Sequence, residues 1–318
     1  MTRDGRAGPG RRIDAWLFEE APPERLAVLR VLVGGFTVVY LAVRFPVFVA
    51  LATRHDPLAG VGPLWWLEEP LPAPFVVTWM IATLVVGVLF TLGLWTRATG
   101  PCVGIGMLLA TTYRSSWGQV LWLENLMVLQ LLVVGCSRSA DAWTIRPRPT
   151  APHGHTPAAD YGWPIRLAQL VTVTTYALPG LAKLRIGGLE WMWGDTLRNH
   201  IAYSAARLEL FGEASSPLGR AVVARGGWLR PFAVATVVME LAAPIALLGG
   251  RPRTLWVVAT WTMHLAIAVL MFVVFPFPLS GVAFACLFRL ERLPSALSRA
   301  AGRATPVRRS AAAPPLDG

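Results

Sequence analysis

The stretch Trp163-Pro-Ile-Arg-Leu-Ala-Gln-Leu-Val-Thr-Val-Thr-Thr-Tyr-Ala-Leu-Pro-Gly-Leu-Ala-Lys-Leu184 has the length and apolar character of a membrane-crossing helix. Such a helix needs about 20 residues to cover roughly 30 Å of hydrocarbon. Projected at 100° per residue, Gln169, Thr172, Tyr176, Gly180 and Lys183 fall within about an 80° arc. Lipid is the least favourable neighbour for a polar stripe, so this face is expected to meet polar groups on other helices or a cavity. Pro179 removes one backbone hydrogen bond and frees the Thr175 carbonyl to bend the helix or line a site.

Lys183 is the single lysine among 29 basic residues, so arginine is this chain's ordinary cation. Two readings of it stand side by side. Lysine gives up its proton most readily when water is removed, which suits a general base. A lysine near the end of a membrane helix can also lay its stem in lipid and reach the headgroups with its ammonium.

Outward from this run, the composition is of one kind. With 54% hydrophobic residues, 15% charged residues, 14 tryptophans and a mean hydropathy of +0.51, the chain is too apolar for a soluble domain of 318 residues. The expected fold is all-α, a polytopic helical membrane protein of about eight transmembrane helices, within a range of six to nine. The expected spans are 26–48, 74–94, 99–112, 119–135, 163–184, 229–248, 254–273 and 275–288. The net charge of +11 does not form a soluble basic face, which argues against nucleic acid as a partner. The arginines concentrate in segments assigned to the cytoplasm, so the positive-inside rule places the chain in the cell membrane with both termini cytoplasmic. The bilayer is then its first partner.

Residues 1–25 read as a basic cytoplasmic tail needing no fold, and 291–318 as a disordered basic tail beside an anionic leaflet. Between them, 26–290 form the membrane domain, with halves 26–145 and 163–290 joined by the Pro-rich linker 146–162. The linker's His153 and His155 could bind metal only with further ligands nearby, and Cys102, Cys136 and Cys286 lack metal-like spacing. No metal is expected. The segment 185–227 reads as a long outside loop, and the pairs Trp65-Trp66 and Trp191/Trp193 read as interfacial anchors.

Ionisable side chains at membrane depth are costly and so have a partner or a task. Arg30, Arg44, Glu124, Glu240 and His264 stand out. Glu240 is the deepest by sequence and is a candidate counter-ion for either Lys183 or Arg30. His264 in Trp261-Thr-Met-His-Leu265 has an apolar context, where a histidine is more often a satisfied structural residue than a ligand.

Tyr176-Ala-Leu-Pro-Gly-Leu-Ala-Lys183-Leu184, followed by Gly188, Trp191, Gly194 and Leu197, resembles the signature of the HTTM family, the horizontally transferred transmembrane domain related to vitamin K-dependent gamma-carboxylases. Leu26 to Gly34, and Ser116-Trp117 through Asn125 to Gln130-Leu131, resemble the family's first span and the span before its polar linker. Glu240 and His264 fall where the family tends to place an acidic residue and a histidine. The resemblance covers about residues 25–290. It implies that Lys183 deprotonates a quinol, with His264 and Glu240 in the catalytic group and Tyr176, Thr172, Gln169, Trp117, Asn125 and Trp191 around the substrate. Two positions differ from the carboxylases: Val120 stands where they carry a histidine, and Pro179 replaces the usual alanine. Peptidyl-glutamate carboxylation is not the expected reaction.

Two functions follow from these residues. One is an enzyme acting on a lipid-like quinol with Lys183 as general base. The other is a non-catalytic membrane protein that binds or carries lipid or quinone, or supports a redox partner, as the loosely similar DoxX-like proteins suggest. A quinone or quinol is the implied cofactor in either case.

Overall fold

Proline and glycine set several helix limits, because proline suits the first helical turn and glycine tolerates the left-handed conformation past the end. The computed structural model describes residues 9–54, 57–118, 123–145 and 156–292. They form α1 (Pro9–Leu17), α2 (Pro23–Leu51), α3 (Ala73–Thr91), α4 (Thr96–Ser115), α5 (Asn125–Gly135), α6 (Ala159–Gly187), α7 (Glu190–Trp193), α8 (Thr196–Leu210), α9 (Pro217–Ala224), α10 (Arg230–Leu241), α11 (Gly250–Met271) and α12 (Pro276–Leu279). Helices α2, α3, α9, α10 and α12 carry proline in their first turn, and α6 ends at Gly188, whose φ is 56°.

The protein is all-helical among its described residues, apart from one isolated bridge between Ala21 and Ala158. Three helices, α2, α3 and α11, are long and apolar enough to cross a membrane. Helix α9 and the stretch Gly227–Leu241 would make a fourth if their pair, bent by 107°, counts as one. Helix α6 has the length, but Arg166, Gln169 and Thr172, Thr174 and Thr175 dilute its apolarity. Only 28% of the apolar window of α3 and 17% of that of α11 is buried. Their remaining faces, including Phe75, Ile81, Val85, Leu255, Val258 and Leu265, are large apolar surfaces exposed by the protein itself.

The first half packs in sequence order, α2 on α3, α3 on α4, α4 on α5, and α5 on α6. Leu26, Leu29, Val33, Met80, Phe90, Met107 and Leu131 fill its centre. Gly100 of α4 and Gly135 of α5 let the two backbones touch, since a Cβ at Gly100 would lie 2.1 Å from the Gly135 carbonyl oxygen. Arg30, fully buried in α2, fixes the segment after α5. Its guanidinium donates to the carbonyls of Ser139 and Trp143, and to that of Ala142 at 3.2 Å.

Several expectations change. Expected span 229–248 divides into α10 and a 3-10 stretch, Ala243–Leu248, because Pro244 cannot continue the α-helical ladder. Expected span 275–288 is α12 and a second 3-10 stretch, Val282–Leu287, interrupted by Pro276, Pro278 and Gly281, so it is not one continuous α-helix. Expected span 119–135 retains α5 from Asn125; residues 119–122, including Val120, lie outside the described residues. The expected loop 185–227 is largely helical in α7, α8 and α9. Residues 9–17 of the expected tail form α1, which packs on α6 with Trp16 beneath the Arg166 guanidinium, 4.8 Å from ring centre to Cζ. His153, His155 and the far tails lie outside the described residues.

Candidate functional site

Helix α6 brings four of its five stripe residues into the core and leaves the fifth, Lys183, half-buried. The stripe divides by partner. Toward the N-terminal end, Gln169 donates to the Cys286 carbonyl at 2.8 Å, and Thr172 accepts from Gln130 Nε2 at 2.8 Å. Gln130 also donates to the Ala283 carbonyl at 2.9 Å. These bonds join α5, α6 and the stretch Val282–Leu287, so Gln169 and Thr172 act as interhelical glue.

Toward the C-terminal end, the stripe meets α10 and α11. Lys183 Nζ donates to both carboxylate oxygens of Glu240 at 2.5 Å. The side chains are 21% and 7% exposed, so Lys183 keeps some contact with the outside and Glu240 keeps very little. The ammonium also lies over the Trp191 ring, 4.9 Å from its centroid, a cation–π arrangement. One helical turn before Lys183, Gly180 packs directly on Glu240 and Leu241. Arg30, the other candidate counter-ion, is held by carbonyls elsewhere and does not pair with Glu240.

The next residue of the stripe, Tyr176, shares a hydrogen bond of 2.9 Å with His264 Nε2. Aromatic rings surround this pair: Trp256 and Phe284 against Tyr176, and Phe275 against His264. His264 Nδ1 is buried with no partner among the described residues. The indole of Trp256 donates to the Met239 carbonyl at 3.0 Å, tying α11 to the α10 turn that carries Glu240. Two polar pairs from three helices thus sit side by side in an apolar, aromatic setting, one ionic and one neutral in character. This arrangement can hold a proton, donate hydrogen bonds and orient an aromatic ring.

Lys183 meets Glu240 and Trp191, and Tyr176 meets His264, while Trp117 and Asn125 do not join them. Trp117 packs edge-on against Tyr113 and takes the Arg54 guanidinium over its ring at 5.4 Å. Asn125 is exposed and lines a groove with Val61, Thr111 and Val128. Cys102 and Cys136 are exposed, Cys286 is buried, and all three are free thiols.

A second buried ionic cluster was not foreseen as a group. Arg114 donates to Glu124 at 2.5 Å and to the Tyr40 hydroxyl at 3.1 Å, while Tyr40 donates to the other Glu124 oxygen. Glu124 alone was conspicuous in the sequence. Arg114 sits at the end of α4, where an arginine ordinarily reads as a headgroup contact, and Tyr40 lies in α2, far away in the chain.

Comparison with protein-family models, with curated proteins and with solved structures finds no match for this chain.

Proposed function

We propose that this is a multi-span protein of the cell membrane that binds a lipid-soluble, quinone-like ligand beside a fixed polar centre formed by α6, α10 and α11. The observation that carries this reading is the two-fold contact of Lys183 Nζ with Glu240. With Nζ engaged by both oxygens of one fixed carboxylate, the amine is occupied within the protein and not directed at a substrate, which favours a binder over a Lys183-based enzyme. Tyr176 and His264 supply one hydroxyl and one imidazole amid Trp256, Phe275 and Phe284, a setting suited to a planar ring with carbonyl oxygens.

The family resemblance, the eight crossings and the cytoplasmic termini belong to the same proposal. The N-terminal parts of α2, α6 and α11, with Arg25, Arg166 and Arg253, share one cleft with Leu248 and Arg289, which end the two segments containing 3-10 turns. Chain entries and exits meeting at one end support an up-and-down path. Tyr176 is ten residues from Arg166 and His264 eleven from Arg253, which is about 15 Å along each helix and near the middle of a core roughly 30 Å thick.

The enzymatic reading, a quinol-acting catalyst, keeps one observation in its favour: Tyr176 and His264 stand next to the ion pair and offer a route for a proton leaving it. Mass spectrometry of organic extracts from purified protein tests both. A binder retains a co-purified quinone in wild type and in Lys183→Arg. A Lys183-dependent enzyme consumes added quinol only in wild type. Absence of any quinone-type ligand from both preparations would sink the proposal.

A further inference from the structure

At the opposite end of α6 lies a cleft of about 500 Å³, lined by Trp16, Glu19, Glu20, Arg25, Arg166, Arg253 and Arg289. Four guanidinium groups reach it from four separate segments, and they are near enough to repel one another. Such a gathering of like charge is unfavourable unless something negative enters. The protein supplies part of it. Arg25 is matched by Glu291, with contacts of 2.6 and 3.0 Å, and Arg166 by Glu19. Arg253 spends its Nε on the Ala246 carbonyl at 3.1 Å, and among the described residues neither Arg253 nor exposed Arg289 has a carboxylate partner.

The backbone adds to the same sign. Helix α11 begins beside the cleft at Gly249 and Gly250, whose φ values of 82° and 57° only glycine adopts without strain, and the helix's positive end faces this side. A second depression shares Gly250, Arg253 and Phe288 with the cleft and extends it over Thr254 and Leu255. From there an exposed apolar ridge follows α11 through Leu255, Val258, Trp261, Leu265 and Val269. Cationic cleft and apolar track are therefore continuous.

We infer that this cleft is a binding site for an amphiphile whose phosphate headgroup carries net negative charge, the phosphate between Arg253 and Arg289 and the hydrocarbon chain along the outer face of α11. Arginine suits this task because its planar fork meets two phosphate oxygens at once. Basic pockets between helix ends at the cytoplasmic surface recognise anionic headgroups on the same physics. A neutral headgroup would leave the two unmatched guanidinium groups uncompensated, and a free phosphate ion would leave the ridge unused.

Native mass spectrometry of the full chain in neutral detergent decides it, with phosphatidic acid, phosphatidylcholine of identical chains, and inorganic phosphate as probes. Phosphatidic acid is expected to bind in preference to phosphatidylcholine, with affinity falling roughly tenfold in Arg289→Gln and further in Arg253→Gln/Arg289→Gln. Arg289 is exposed, so its single variant keeps the test valid should the double variant fold poorly. Equal binding of both lipids, or indifference to Arg289→Gln, overturns the inference; displacement of phosphatidic acid by an equal concentration of inorganic phosphate overturns the amphiphile part by showing that the chain contributes nothing.

Discussion

Gly180 of α6 and Glu240 of α10 are in direct contact: a β-carbon at Gly180 would lie 2.9 Å from the Cβ of Glu240. This closeness is what lets Lys183, one turn on, reach both oxygens of the same carboxylate. Gly180→Ala gains about 0.5–1 kcal/mol of helix propensity. Overpacking costs about 1–3 kcal/mol, because the obstructing atom is a β-carbon and not the tip of a flexible chain. The net expectation is a lower melting temperature of the purified protein, and a melting temperature equal to wild type would mean that the helices separate freely.

The Lys183–Glu240 pair predicts asymmetric mutational effects. Glu240→Leu leaves a largely buried ammonium unmatched and should cost about 3–5 kcal/mol. Lys183→Met/Glu240→Leu removes both charges and should recover most of that loss, while Lys183→Arg should be mild. Thermal unfolding in detergent of wild type, Lys183→Met, Glu240→Leu and the double variant checks the cycle. Additive losses in the double variant would show that the two side chains do not interact.

Arg30 predicts a harder failure. It is the buried donor for three carbonyls of the segment after α5, and each carbonyl left buried without a partner costs about 1–3 kcal/mol. Arg30→Met should therefore give little monodisperse protein on size exclusion. Arg30→Lys should rescue little, since a point-like ammonium cannot span the same carbonyls.

Outside the candidate spans, the Ser215 hydroxyl and then Arg220 hold the Glu209 carboxyl below its usual range. A depressed carboxylate contributes stability that is present above its unfolded pKa and lost as pH falls through the folded value. The corner between α8 and α9 should thus lose hydrogen-exchange protection on acidification below about pH 4.5. Glu209→Gln should remove that pH dependence; protection that stays constant in wild type would contradict the assignment.

The polar face of α6 was legible because helical spacing alone places Gln169, Thr172, Tyr176, Gly180 and Lys183 in one arc. Its uses were not, since Gln169 and Thr172 bind Cys286 and Gln130 while Tyr176 and Lys183 bind His264 and Glu240, and those partners are set by how other helices approach. Trp117 and Asn125 joined the expected site only through resemblance, and nothing in their spacing bears on which helix they face. The arginine cleft was hidden for the same reason: Arg25, Arg166, Arg253 and Arg289 lie far apart in the chain, and no spacing connects them.

Composition and periodicity were enough to establish an all-helical chain with apolar helices of membrane-crossing length and a polar stripe ending in a lone lysine, because those properties are local and repeat along the chain. Which acid answers Lys183, which carbonyls hold Arg30, and which arginines face one another depended on contacts between segments far apart in sequence. Long-range pairing reflects the packing of whole helices, and no single helix carries that information in its own residues.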